Sequence, residues 1–229
     1  MTCESRRVAF RDMARDLAGV DTAVYEQFEL DPAEPIIGEG DPNARIAIFG
    51  RDPGREEVRW RQPFIGAGGQ KVRAELYKAI FDEEMPDFQG AVEAGKYVFW
   101  ANTVPYKPIG NKAWSQKVKR QFQPLMAGVL LESWNGKDVI TLGREAFFWF
   151  GLNLTRSERQ DLEAFWKQPD RFESSFSVRL KGEAGEARTF DLHPLPHPSP
   201  LNATWYRKFP DLLAYRLRQL QFGQENWQI

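Results

Sequence analysis

Cysteine is almost missing from this chain. Cys3 is the only one, which excludes a disulfide framework and a thiolate cluster for zinc or an iron–sulfur centre. No metal and no cofactor are therefore expected. Histidine is nearly as scarce: the two present, His193 and His197, fall in one proline-rich stretch. No 18-residue apolar run exists, so no membrane span or membrane partner is expected. The opening MTCESRRVAFRD has no apolar signal core, and a soluble, cytoplasmic protein is the expectation. Neither G-x-G-x-x-G nor G-x-x-x-x-G-K-[ST] occurs, which argues against a generic mononucleotide-binding enzyme. An excess of charge is lacking too. With 31 basic and 32 acidic residues the net charge is -1, so any nucleic-acid footprint has to be local.

What is there is apolar and aromatic. Across 229 residues, 42% are hydrophobic and 14% aromatic, with 8 Trp, enough for one well-filled α/β domain. A single domain over residues 1–229 is expected, with a helical lead-in over about 1–43. Charge is unevenly spread. Residues 12–41 are acid-rich, whereas basic residues gather beside polar turns: Arg51, Arg55, Arg59, Arg61, Lys71 and Arg73; Lys107, Lys112, Lys117, Lys119 and Arg120; Arg207 and Lys208.

Apolar periodicity predicts helices over 5–19, 70–81, 116–134, 144–150, 158–166 and 204–220. Short apolar runs at 46–49, 97–101, 138–142 and, more weakly, 189–192 predict strands. Residues 153–188 read as otherwise irregular. From His193 onward proline is so dense that neither a helix nor an inner strand is expected. Strands separated by helices indicate a three-layer α/β/α sandwich around a central, mainly parallel, four-stranded sheet.

The stretch from Arg45 to Arg73 organises the rest. The run Ile46-Ala47-Ile48-Phe49 reads as a strand buried on both faces, broken at Gly50. Asp52-Pro53-Gly54 then forms a tight turn that holds a carboxylate just past the strand end, where open α/β sheets bind ligands. Asp52 is either an ordinary turn aspartate or a carboxylate that holds a water or steadies a cation. Asn102, at the end of the second strand, is either a turn residue or an amide that reads a planar heterocycle through one acceptor and two donors. His197, bracketed by Pro196 and Pro198, reads as an imidazole preorganised for a developing oxyanion. His193 is its competitor. Phe64, between Pro63 and a glycine-rich run, is either core or a stacking wall.

GRDPG, PFIGAGG, VFWANTVPYKP, VITLGREA and HPSPLN occur in the order found in the uracil-DNA glycosylase superfamily, and the resemblance covers roughly residues 44–220. Asp52 resembles the catalytic aspartate of the branch whose first motif is GQDPYH. Asn102 resembles that branch's uracil-reading asparagine. His197 and Leu201 match its second motif, with the leucine intercalating. Gly54 and PFIGAGG are instead similar to the branch with GEAPG, whose phenylalanine stacks on uracil, hence Phe64. That branch carries four cysteines for an iron–sulfur cluster, which this chain lacks. Gly54 stands where the GQDPYH branch has the tyrosine that helps exclude thymine, and Asn202 where serine usually follows HPSPL.

The resemblance implies a monofunctional enzyme that flips uracil from DNA and hydrolyses its N-glycosidic bond, leaving free uracil and an abasic site. Asp52 and His197 would be catalytic. Arg51, Gly54, Phe64 and Asn102 would contact substrate, and Ser199, Leu201, Asn202, Arg207 and Lys208 would contact DNA. A monomer is expected. The alternatives are a glycosylase for hypoxanthine, xanthine or mismatched thymine, and a non-catalytic protein that binds lesions or abasic sites.

Overall fold

The structure, a computed structural model, describes residues 3–38, 40–183, 185–200 and 202–223. Five strands form one sheet in the order β2-β1-β3-β5-β4. They are β1 (Ile46–Gly50), β2 (Phe99–Asn102), β3 (Asp138–Leu142), β4 (Phe176–Lys181) and β5 (Ala187–Leu195). β1 pairs in parallel with β2 and β3, and β3 in parallel with β5. Every residue of β1 is buried, as its unbroken apolar run requires of a strand covered on both faces.

Nine helices flank the sheet among the described residues: α1 (Cys3–Ala14), α2 (Thr22–Gln27), α3 (Arg55–Trp60), α4 (Ala67–Phe81), α5 (Phe88–Ala94), α6 (Gln116–Glu132), α7 (Arg144–Trp149), α8 (Arg156–Trp166) and α9 (Ala203–Gln219). One apolar core joins Ala47, Phe49, Phe99 and Val139 to Phe10 of α1, Val58 of α3, Phe122 and Met126 of α6, and Phe147 and Trp149 of α7. The other joins Ile46, Ile48, Trp100 and Ile140 to Val72 and Leu76 of α4, Ala94 of α5, and Phe209 and Leu213 of α9. Alternate residues of each strand serve opposite cores, and the three-layer α/β/α arrangement follows. No helix among the described residues is long and apolar enough to cross a membrane.

Two expectations are corrected. The sheet has five strands rather than four, because β4 lies inside the stretch read as irregular. Its residues alternate between exposed and buried, and it pairs antiparallel with β5 at the sheet edge. Charged Arg179 and Lys181 on the exposed face conceal a strand that is apolar at only three of its six positions, against four of five in β1. The second correction is that β5 runs through His193 and Pro194 to Leu195. Pro194 sits opposite Thr141 of β3, whereas β4 reaches no further than Leu192. Beyond Leu192 one flank of β5 is open, and proline is tolerated where an N–H has no ladder partner. The shorter α2, α3 and α5 carry too few apolar repeats to be read from periodicity. In α9, Pro210 neither stops nor restarts the helix.

Because β1, β2, β3 and β5 are mutually parallel, their carboxyl ends share one edge. After β1 the chain turns to β2 on one side, and after the neighbouring β3 it turns towards β4 and β5 on the other. A crevice is expected where neighbouring connections diverge in this way.

Candidate active site

A cleft of about 600 Å³ opens at that edge. Its walls are the turn after β1 (Arg51, Asp52, Pro53, Gly54), the Phe64–Gly69 loop, Leu142 at the end of β3, and the segment after β5 (His197, Pro198, Ser199, Pro200, Asn202).

Asp52 lies two residues past the buried strand β1, with its own side chain only 1% exposed. Thr103 Oγ1 donates to Asp52 Oδ1 at 3.1 Å and to the Arg51 carbonyl at 2.5 Å. Arg51 Nε lies 3.0 Å from Asp52 Oδ2, close enough for an ion pair but off the line of a hydrogen bond. Arg51 Nη2 donates to the Asn111 carbonyl at 2.8 Å, tying the turn to the loop after β2. Burial pushes the Asp52 carboxyl up to about 6, against the opposing pull of the Arg51 charge and the Thr103 hydroxyl. Asp52 is thus mostly ionised at neutral pH, with its acid form within reach.

Phe64 and Asn102 meet at Gly50. A Cβ on Gly50 would lie 2.3 Å from Phe64 Cζ and 3.2 Å from Asn102 Oδ1, so only glycine leaves room for both. Asn102, 3% exposed, closes β2 at the floor, in register with Gly50. The Phe64 ring stacks on Trp100 with centroids 5.0 Å apart, and the Arg73 guanidinium covers the Trp100 ring at 4.6 Å. Phe64 itself has φ 53, a left-handed backbone that costs a β-carbon-bearing residue energy. Arg73 donates to the Pro63 and Phe64 carbonyls at 2.9 and 2.8 Å, which fixes that conformation.

His197 faces these groups from the segment after β5. Gly143, with φ 89, lets the β3 turn approach: a Cβ there would stand 3.0 Å from His197 Cβ. Burial, and secondarily the positive charge of Arg51, hold His197 down to about 4, so its imidazole is neutral at physiological pH.

Asp52, Phe64 and His197 therefore share one cleft, with Asn102 beneath it and Arg51 and Gly54 on its wall. Ser199 and Asn202 line its mouth. Leu201 lies outside the described residues. Arg207 and Lys208 are exposed on α9 and do not line the cleft; Lys208 Nζ sits 5.6 Å over the Trp205 ring. His193 is elsewhere. Its Nε2 lies 2.9 Å from Asp138 Oδ1, and Asp138 opens β3 at the opposite end from the cleft. The basic tally also mixes interior with surface. Arg73, Lys107 and Lys119 are buried; Lys107 pairs with Asp21 and Lys119 with Glu145.

Sequence reasoning missed three supports of the cleft: Thr103, Arg73 and Glu57. Thr103 sat in the quoted ANTVP run, next to Asn102. Arg73 stood in a basic cluster beside a polar turn, with nothing to mark it as a buried support. Glu57 had a local signal, a glutamate three residues after the glycine that starts a helix. Its carboxylate accepts from the Gly54 and Gly66 amides at 2.9 and 2.7 Å.

Over residues 37–221, which include every one of these groups, the chain matches the family described as Uracil DNA glycosylase superfamily.

Proposed function

Because the chain belongs to the Uracil DNA glycosylase superfamily, and so is a DNA glycosylase acting on N-glycosyl bonds, we propose that its substrate is uracil in DNA. The observation that carries this is the convergence of a buried carboxylate, a neutral imidazole and an aromatic wall on one cleft, with the buried Asn102 amide beside its Gly50 wall.

Each group then has a role. The target nucleotide leaves the helix at a cost of a few kcal/mol, least for a mismatched base. Uracil lies against Phe64, a stacking contact worth roughly 1–3 kcal/mol. Asn102 donates to O4 and accepts from N3–H; cytosine presents the opposite polarity there and is refused. As the bond to the sugar lengthens, positive charge builds on the sugar and negative charge on the base. Asp52, ionised at neutral pH, steadies the first and orients the attacking water. His197, neutral and donating to O2, steadies the second. Arg51 helps hold the substrate. Leu201 fills the space left by the base, while Ser199, Asn202, Arg207 and Lys208 hold the strand. Water is the nucleophile, so the products are free uracil and an abasic site.

A second reading keeps the chemistry and widens the base. Gly54 contributes no side chain to the cleft wall, which favours acceptance of hypoxanthine, xanthine or mismatched thymine as well. The test is incubation in EDTA with duplexes that each carry one modified base, followed by alkali cleavage. Cleavage at uracil is expected. Cleavage only at another base would support the second reading, and tight binding to abasic DNA without any base release would refute both.

A further inference from the structure

The turn that carries Asp52 and the loop that carries Phe64 are held in register by one side chain that bonds to both. Glu57, at the third position of α3, splits its carboxylate between two cleft walls. Oε2 accepts from the Gly54 amide at 2.9 Å, two residues after Asp52, and Oε1 from the Gly66 amide at 2.7 Å, two residues after Phe64. The chain between Gly54 and Gly66 includes the whole of α3 and returns through Arg61, which itself has φ 52. Glu57 is the chord across that excursion.

Both glycines are shaped to it. A Cβ on Gly54 would lie 2.7 Å from Glu57 Oε2, and one on Gly66 would lie 3.0 Å from Oε1. Phe64, in its left-handed backbone, is gripped from two directions. Arg73 takes the carbonyls of Pro63 and Phe64, and Glu57 takes the amide just beyond them. Strained conformations of this kind persist where surrounding contacts over-determine them, and they concentrate at functional sites.

We propose that Glu57 is a positioning residue for base excision, the bond that fixes the spacing between the Asp52 carboxylate and the Phe64 wall. This deepens the reading of the cleft as a base-excision site and rests on it. The chemistry demands a carboxylate, since two converging N–H donors need two acceptor oxygens on one rigid plane. An amide offers one oxygen and sets its NH2 against the second donor.

Glu57→Gln is the test, because it preserves length and volume. Three quantities are read on the full-length chain: melting temperature, affinity for duplex containing an abasic site, and single-turnover release of uracil with the enzyme in excess. Displacing a reacting group by about 1 Å can cost on the order of 100-fold. A 10- to 100-fold slower release is therefore expected on that scale, with abasic-site affinity within about threefold and base release at saturating enzyme still slow. A purely structural role would lower the melting temperature and leave the rate of the folded fraction unchanged. That result, or release within about twofold of wild type, overturns the proposal. Should Glu57→Gln fail to fold, Glu57→Asp, too short to span both amides, is read in the same way. Wild type measured alongside separates the two claims. If it frees no base from any duplex, the excision reading itself falls, and Glu57 loses its role with it.

Discussion

Taking the protein from about pH 7 to about pH 5 is expected to slow base release by roughly tenfold, with the midpoint set by Asp52. The sign follows from burial. Asp52 is held up to about 6 by loss of solvent around its carboxyl, so it takes up a proton earlier than an exposed aspartate as pH falls. With a midpoint near 6, about nine-tenths of the molecules carry the carboxylate at pH 7 and about one-tenth at pH 5. At the ordinary value of 3.8, more than about nine-tenths would still carry it at pH 5, and the rate would barely change. His197 does not confuse the reading, since it stays neutral until about 4. The assay is single-turnover release of uracil, quenched at intervals and developed with alkali, on protein shown to be folded at each pH. Thr103→Val, which removes a bond that lowers the carboxyl, should move the midpoint upward. A wild-type rate that changes by less than about twofold between pH 5 and 7 would refute the reasoning. So would an acid limb that survives in Asp52→Asn.

His197→Ala should lose about 10²- to 10³-fold in single-turnover rate, the usual cost of one preorganised donor, with an unchanged circular dichroism spectrum. Gly50→Ala places a methyl 2.3 Å from the Phe64 ring; it should displace that ring and cut release by at least about 10-fold, or roughly 1.4 kcal/mol, as measured with saturating enzyme. His193→Asn should lower the melting temperature through loss of the Asp138 contact while folded protein excises within about twofold of wild type. Two buried groups should pull stability in acid in opposite directions: Asp52, raised from 3.8 to about 6 on folding, adds stability as pH falls through about 6. His197, whose value drops from 6.5 to about 4 on folding, contributes stability present above about 6.5 and lost as pH falls through about 4, worth about 3 kcal/mol at most. Urea titrations of wild type and Asp52→Asn across that range would separate them: the variant should lose stability in acid more steeply than wild type, and parallel profiles would contradict it.

The central architecture was legible because its strands and long helices are periodic. The run at 46–49 has no polar interruption and that at 138–142 has only Asp138 at its start and Thr141 within it, while Val72, Leu76, Phe122 and Met126 recur at helical spacing. What stayed hidden has physical causes. β4 is an edge strand with one wet face, so only three of its six residues are apolar. β5 carries Pro194, a residue that forbids an inner strand unless one flank is open, and openness belongs to the neighbouring chain. In the cleft, the groups proposed to act on a base were visible as residue types near strand ends. The groups that hold them were not. Arg73 looks like any surface arginine until three main-chain carbonyls, those of Pro63, Phe64 and Ala91, are seen to converge on it. Choosing between His193 and His197 needed the strand register, which puts one imidazole alongside the middle of β3 and the other beyond its end.

The Arg51 guanidinium has a consequence for the order in which protons arrive. It opposes protonation of Asp52 and of His197 alike, so a single fixed cation favours an anionic acid and an uncharged ring together. One hydrogen bond to the Asn111 carbonyl anchors that cation. Any movement of the 106–114 loop, such as one provoked by a DNA strand lying across it, would retune both groups in the same direction at once.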